Sequence, residues 1–249
     1  MLGVAKSCLI ACSFFFGANV VNNAFAESLE KLEPHIKKQS PAGVGPFLVM
    51  ILLPGCSGFD DDRFTSHYDS VQAELTKKGY ATYRLDVLAA RNAASCSGVT
   101  SESASPDVKI FVDSLRNDSS VKEDDVSLIG WSWGAKIALQ SIVSSEKPNV
   151  KSIISYYPNC DWLSTWTTQA NVLLFFGDKD TIADPTGCQP IFDASEHGPK
   201  SKFQVFDGAL HLFDFANLKQ PIQDKSHAMG YDNEAANAAW VTVEGLLGK

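Results

Sequence analysis

Residues 125–143 read DVSLIGWSWGAKIALQSIV, and this stretch decides the fold. An apolar run of strand length, DVSLI, leads into the glycine-rich sequence GWSWG, and a helical pattern, AKIALQSIV, follows at once. A Gly-x-Ser-x-Gly sequence between a strand and a helix predicts a sharp turn that exposes the serine hydroxyl. The glycines let strand and helix approach closely where a β-carbon is disfavoured. Ser132 is therefore the candidate nucleophile; the alternative is a glycine-rich turn with a capping serine.

Further apolar and amphipathic segments extend this pattern in both directions. We predict strands at residues 47–53, 80–85, 126–130, 150–156, 172–176 and 202–206. We predict helices at residues 66–78, 106–115, 135–144, 190–195 and 233–247, and a long loop at residues 86–105. The uninterrupted apolar sequence FLVMILL at residues 47–53 is typical of a strand buried on both faces. Strands that alternate with helices predict an α/β fold with a mostly parallel central sheet and helices on both faces.

A nucleophilic serine needs a base, and the base needs an acid that orients it. In folds with this serine turn the acid and then the histidine follow later strands. Asp180 stands three residues after Gly177 at the end of the strand VLLFF, with Asp178 and Asp184 as competitors. His211 follows the last strand, whereas four other histidines precede that strand or lie in a polar loop: His35, His67, His197 and His227. We therefore predict the order Ser132, Asp180, His211.

Acyl transfer also requires donors for the negatively charged oxygen of the intermediate. The backbone N–H of Trp133, directly after the serine, is the first candidate. The second is the N–H of Cys56 in the loop PGCSG, which follows the first predicted strand. The alternative is that this loop is an ordinary turn at a strand end.

Composition limits the classes of protein that the chain can belong to. Its 249 residues are 45% hydrophobic and 20% charged, with a net charge of −8 and no basic cluster. We expect a single folded domain, no nucleic-acid partner and no stable membrane insertion. The composition says nothing about oligomeric state.

The first 26 residues are predicted to be a signal peptide, which leaves a catalytic domain at residues 27–249. Lys6 precedes an apolar stretch at residues 8–21, and Ala24-Phe25-Ala26 has the spacing of small residues that signal peptidase recognises. Two alternatives remain open: an N-terminal membrane anchor, and a lipoprotein cleavage site at Cys12. The expected location is periplasmic or secreted.

The later cysteines fit an exported protein, because an even number of them remains after removal of the signal. They are Cys56, Cys96, Cys160 and Cys188, and none has the Cys-x-x-Cys spacing of a zinc or redox site. We predict two disulfides and no metal.

Five segments together resemble the dienelactone hydrolase family of the α/β-hydrolase superfamily. They are LLPGCSGFDD, RLDVLAARNAASC, GWSWGA, FFGDKD and GALHLF. The resemblance implies a carboxylic-ester hydrolase that acts on a small-molecule ester through an acyl-enzyme on Ser132, without a cofactor. The chain departs from the family at Ser132, where members proper have cysteine, at Pro54, which replaces a histidine, and at Asn92, which replaces a glycine. A peptidase or amidase with the same three residues, and a non-catalytic binding protein on this scaffold, are the alternatives.

The resemblance also suggests substrate contacts and a disulfide pairing. Arg91 is a candidate to bind a substrate carboxylate, or else is a structural surface residue. Aromatic side chains are candidates to line the pocket or to pack in the core: Trp131, Trp133, Trp162 and Trp166. In this superfamily the first two predicted strands are neighbours, as are the fourth and fifth, which favours Cys56–Cys96 and Cys160–Cys188.

Overall fold

A computed structural model describes residues 28–143, 150–161, 163–224 and 226–248. The predicted signal peptide and Trp162 lie outside these ranges. The described chain forms a seven-stranded sheet in the order β1-β3-β2-β4-β5-β6-β7. Its strands are β1 (Ile36–Gln39), β2 (Phe47–Leu53), β3 (Tyr80–Leu85), β4 (Val121–Trp131), β5 (Ser152–Tyr156), β6 (Asn171–Gly177) and β7 (Lys202–Phe206).

All neighbouring strands of this sheet run parallel except β1, which pairs antiparallel with β3 at the edge. A second, two-stranded antiparallel sheet joins β8 (Ile222–Asp224) to β9 (His227–Met229). The helices are α1 (Thr65–Lys77), α2 (Val87–Ala90), α3 (Ser101–Leu115), α4 (Trp133–Val143), α5 (Pro185–Asp193) and α6 (Asn233–Leu247), with a 3-10 turn at Glu33–His35. The predicted α/β fold with a mostly parallel sheet is confirmed.

The sheet separates two apolar layers, and β2 contributes to both. Val49, Ile51 and Leu53 belong to the layer that α3, α4 and α5 cover. Met50 and Leu52 belong to the opposite layer, under α1 and α6. All five are fully buried, which explains why this strand reads as a continuous apolar run rather than an alternating one.

The predicted loop at residues 86–105 was wrong, because it contains α2 and the start of α3. Thr100 caps α3 by accepting a hydrogen bond from the backbone N–H of Ser103. Pro106 therefore lies inside this helix rather than at its start. The carbonyl of Glu102, which Pro106 leaves without its helical donor, instead receives the Ser105 hydroxyl at 3.4 Å.

Helix α5 begins earlier than predicted and ends at Asp193. The Asp184 carboxylate caps it by accepting from the backbone N–H of Thr186, and Pro185 occupies the first helical position. Sequence analysis missed this Asp-Pro start signal. Within the described ranges, no helix is long and apolar enough to cross a membrane.

Candidate active site

The three residues predicted from strand order meet at the carboxyl edge of the sheet. Ser132 directly follows β4, Asp180 lies in the turn after β6, and His211 follows β7. Parallel strands place the loops at their carboxyl ends along one edge, which is where open α/β sheets bind ligands. A span of 79 residues therefore separates Ser132 from His211 in sequence while their side chains touch.

The Ser132 turn has the strained backbone that its sequence predicts. Its φ of 51° lies in the left-handed region, which a side chain rarely adopts. A β-carbon at Gly130 would lie 2.6 Å from the carbonyl oxygen of Gly134, and one at Gly134 would lie 2.3 Å from that of Pro54. Both glycines are therefore required by close contact. Helix α4 begins at the next residue, so its N-terminal N–H groups face the serine.

His211 connects the serine to the aspartate through its two ring nitrogens. Its Nε2 lies 3.1 Å from Ser132 Oγ, and its Nδ1 lies 2.7 Å from Asp180 Oδ2. The residue is 3% exposed. If Nδ1 carries a proton toward the carboxylate, Nε2 is left as the acceptor for the serine hydroxyl.

Asp180 is held from its other side by the backbone. Its Oδ1 accepts hydrogen bonds from the N–H groups of Ile182 at 2.7 Å and Ala183 at 2.9 Å. Asp178 instead bonds Lys179 and the backbone N–H of Gly208 at the surface, and Asp184 caps α5. Neither competitor contacts His211 within the described structure.

The other histidines have different surroundings. His67 stacks on Phe215 at a centroid distance of 3.8 Å, and its Nε2 lies 3.2 Å from Asp214. His227, in β9, lies at the site itself, because its Nδ1 is 2.9 Å from the hydroxyl of Thr181, next to Asp180. Sequence analysis placed His227 in a polar loop, since three-residue strands leave too short a pattern to read.

The hairpin of β8 and β9 forms part of the wall around the site. The backbone N–H of Gly230 donates to the carbonyl of His211 at 2.9 Å, and Met229 bridges to the same residue. A cavity of about 440 Å³ lies between this hairpin, the loop after β2 and the serine. Its lining includes Gly55, Cys56, Ser57, Arg63, Phe64, Tyr68, Ser132, Thr181, Ile182, His211, Leu212, Asp224, His227 and Met229.

One candidate donor for a charged oxygen lines the cavity with the serine, and the other directly follows the serine in the chain. Cys56 lines the cavity, and a hydrogen bond from Cys96 N–H to its carbonyl, at 2.9 Å, holds its peptide. Trp133 N–H lies at the first turn of α4, where an N–H has no intrahelical partner. The Trp133 indole points elsewhere and donates to the carbonyl of Val99 at 3.2 Å.

The predicted substrate contacts have other surroundings in the structure. Arg91 bonds Asp107 at 2.7 Å and the carbonyl of Ser103, so α3 holds its guanidinium. Trp131 is fully buried, and Trp166 is 3% exposed. Neither Arg91 nor any of the three candidate tryptophans in the described ranges, Trp131, Trp133 and Trp166, lines the cavity. These surroundings favour the alternative core or structural roles over substrate contact.

A different arginine lies at the cavity. Arg63 forms a two-point contact with Asp61, at 2.9 Å from Nε and 2.6 Å from Nη2. The bond to Asp61 raises the pKa of the Arg63 guanidinium, with smaller contributions from the Asp61 and Asp224 charges. Sequence analysis missed Arg63 because it precedes α1 and belongs to none of the quoted motifs.

A buried carboxylate lies behind the site. Asp214 accepts hydrogen bonds from the Trp131 indole at 2.7 Å and from the Tyr157 hydroxyl at 2.5 Å. The Tyr157 ring lies 4.5 Å from that of His211, and the φ of Tyr157 is 42°. Strained backbone and buried polar groups of this kind concentrate at functional sites.

The two disulfides join the pairs expected from the loop positions. Cys56 bonds Cys96 with their α-carbons 4.7 Å apart, and Cys160 bonds Cys188 at 5.2 Å. Among the described side chains, no group of three or more His, Cys, Asp or Glu is arranged to hold a metal ion.

Comparisons with solved structures place the chain among known folds. It is similar to a dienelactone hydrolase-like promiscuous phosphotriesterase from metagenomic libraries, with 15% identity, a TM-score of 0.63 and coverage of 85% of this chain and 97% of the other. It is also similar to Est1E from Butyrivibrio proteoclasticus with bound ferulic acid, with 14% identity, a TM-score of 0.60 and coverage of 85% of this chain and 93% of the other. A third similar structure is the thermophilic esterase Est2 from Thermogutta terrifontis with bound propionate, with 13% identity, a TM-score of 0.58 and coverage of 85% of this chain and 88% of the other. No curated protein sequence matches.

The sheet topology and these neighbours define the fold class as that of the α/β hydrolases. The sequence profile of the dienelactone hydrolase family matches residues 38–249. The chain belongs to this family.

Proposed function

We propose that the protein is a serine hydrolase that cleaves carboxylic esters of small molecules through an acyl-enzyme on Ser132. The observation that carries the proposal is the continuous contact from Ser132 Oγ through His211 to the buried Asp180 carboxylate. A non-catalytic protein on this scaffold has no need of a nucleophile, a base and an acid in hydrogen-bond reach of one another.

The proposed reaction has two halves. His211 Nε2 accepts the Ser132 proton as Oγ attacks the ester carbonyl, and His211 then returns that proton to the departing alcohol. Water, activated by the same nitrogen, releases the acid and restores the serine. Asp180 keeps the imidazole in the tautomer that these proton transfers require. The Cys56 and Trp133 N–H groups stabilise the charged oxygen.

The cavity and the neighbours support an ester as the substrate. Two of the similar proteins were solved with ferulic acid and propionate, which are carboxylic acids and so the kind of product that ester cleavage releases. Arg63 at the cavity is already neutralised by Asp61. A free arginine poised for a substrate carboxylate is therefore absent from the described lining, which favours uncharged esters over the carboxylate-bearing substrate of a true dienelactone hydrolase.

The first experiment is Ser132→Ala on a panel of 4-nitrophenyl esters of increasing acyl length, with matched amides to separate esterase from amidase. We expect the variant to lose at least about 10³-fold in rate, because deleting the nucleophile of such a site usually costs far more. A fluorophosphonate should phosphonylate Ser132 of the wild-type protein, with loss of fluoride, and the mass gained is that of the reagent less HF. Ser70→Ala, which removes an exposed hydroxyl from α1, is the matched control and should retain activity. The proposal would be contradicted if the wild-type protein hydrolysed none of the esters and the fluorophosphonate did not label it.

A further inference from the structure

Tyr68 brings a hydroxyl to the cavity that the proposed mechanism does not use. It lies on α1, is only 2% exposed, and lines the same cavity as Ser132. Its oxygen accepts a hydrogen bond from the backbone N–H of Gly55 at 3.0 Å. The described structure contains no acceptor for the proton of this hydroxyl, so the proton is available to a molecule in the cavity.

Gly55 lies beside both this hydroxyl and the serine. A β-carbon at Gly55 would lie 3.5 Å from Tyr68 Oη and 3.9 Å from Ser132 Cβ. Tyr68 Oη and Ser132 therefore both lie beside Gly55, the residue that precedes Cys56. Since Cys56 and Tyr68 line the same cavity as Ser132, and Tyr68 bonds the neighbour of Cys56, we expect an ester carbonyl oxygen bound to the Cys56 N–H to lie near Tyr68 Oη.

Packing fixes the Tyr68 ring on several sides. Edge-to-face contacts join it to Phe59 at 5.0 Å, Trp131 at 5.3 Å and Phe215 at 5.6 Å between ring centroids. Aromatic contacts of this geometry are favourable beyond the area they bury. The hydroxyl is thus held in place before substrate arrives, as a donor for transition-state charge must be.

We propose that Tyr68 is a further catalytic residue, whose hydroxyl donates a hydrogen bond to the substrate carbonyl oxygen as that oxygen becomes negatively charged. The proposal rests on ester hydrolysis at Ser132. The bond from Ser132 Oγ to the carbonyl carbon forms, the π electron pair of the carbonyl moves onto oxygen, and the serine proton goes to His211. Tyr68 keeps its own proton throughout. When the oxyanion collapses, the alcohol leaves with the proton from His211.

Two further features suit Tyr68 to this role. Burial raises the pKa of its hydroxyl above the usual range, so the proton stays on the oxygen at the pH of an ester assay. The Gly55 N–H donates to the same oxygen, and a hydroxyl that accepts one hydrogen bond is a stronger donor of another.

The test is Tyr68→Phe, with the ester assay run beside inhibition by an aryl trifluoromethyl ketone, which adds Ser132 Oγ to form a stable oxyanion. We expect kcat to fall about 10²-fold with KM changed less than about threefold, since loss of one such donor costs about that much. The inhibition constant of the ketone should rise by the same factor as kcat falls. Tyr80→Phe is the matched control, because the Tyr80 hydroxyl donates to the Leu247 carbonyl at 3.4 Å and Tyr80 is absent from the cavity lining.

A hydroxyl that only supports the Gly55 peptide predicts different results. A folded Tyr68→Phe protein with kcat within about threefold of wild type, or with lower kcat and an unchanged ketone constant, would overturn the proposal. If Tyr68→Phe does not fold, 3,5-difluorotyrosine at position 68 decides, because it keeps the ring and strengthens the donor: a lower ketone constant supports the role and an unchanged one refutes it. If the wild-type protein neither hydrolyses esters nor reacts with the fluorophosphonate at Ser132, both this proposal and the proposed function are wrong.

Discussion

Two aspartates on either side of Lys179 have opposite surroundings. The Asp180 side chain is fully buried and receives backbone hydrogen bonds as well as the contact with His211. The Asp178 side chain is 29% exposed, and its bond to Lys179 lowers the pKa of its carboxyl. The sequence analysis chose Asp180 over Asp178 because Asp180 stands three residues after Gly177, at the end of the strand.

Asp180→Asn should therefore lower kcat strongly, and Asp178→Asn should not. The amide NH2 of an asparagine at position 180 would face either His211 Nδ1–H or the N–H groups of Ile182 and Ala183, so one pair of donors would oppose each other. A change of this kind in a related arrangement of serine, histidine and aspartate costs about 10⁴-fold in kcat. Steady-state kinetics on both variants measures the difference, and the reverse ranking would show that the acid is misassigned.

At the scale of elements, the loop of residues 54–58 is held at several points. Tyr68 on α1 accepts from Gly55 N–H. Cys56 is joined to the loop between α2 and α3 by its disulfide with Cys96 and by the Cys96 N–H, which donates to the Cys56 carbonyl. A turn closes the loop through Gly58 N–H and the Gly55 carbonyl at 3.1 Å. A donor on so restrained a loop loses little freedom when it binds the charged oxygen.

Replacing both cysteines of one bridge by serine should separate stability from catalysis. Loss of either disulfide is expected to cost about 2–4 kcal/mol of unfolding free energy, since each closes a loop in the unfolded chain. Only the Cys56→Ser/Cys96→Ser variant should also lower kcat, because Cys56 lines the cavity and is the proposed second donor, whereas Cys160 and Cys188 do not line the cavity. Urea unfolding and kinetics on both double variants test this. Free thiols at these positions in oxidised wild-type protein would contradict it.

At the scale of the whole molecule, residues with strained backbone lie at the same edge of the sheet as the candidate active site. Four non-glycine residues of the described chain have positive φ, and three of them surround the site: Ser132, Tyr157 and Leu212. Such conformations cost of order 1–3 kcal/mol each and persist only where the surrounding packing enforces them. The two apolar layers that cover the faces of the sheet supply that packing.

Export is the prediction that concerns the whole chain. The mature protein should begin at Glu27, after cleavage behind Ala26, and should contain both disulfides. Intact mass measured on periplasmic material checks the cleavage site, with the same chain lacking residues 2–26 as the control for a cytoplasmic product. A lipid-modified Cys12 at the N-terminus would contradict this and support the lipoprotein alternative.

Sequence alone determined the fold class, most strands, and the three residues that meet at the sheet edge. These depend on local patterns: apolar runs of strand length, a glycine-flanked serine, and a fixed order of loops along a parallel sheet. Short elements such as β8 and β9 were not predicted, because the pattern of three residues does not distinguish a strand from a loop.

Only the tertiary structure decided which side chains surround the serine. Arg91 and Trp131 are equally plausible contacts in the sequence, yet packing turns one toward α3 and buries the other against Asp214, 83 residues away. Tyr68 reads as a core residue of an amphipathic helix, and it is in the core except for its hydroxyl, which meets Gly55 at the cavity. The reason is physical: a periodic pattern records which face of an element is buried, whereas the partner of a single polar atom depends on how separate elements pack together.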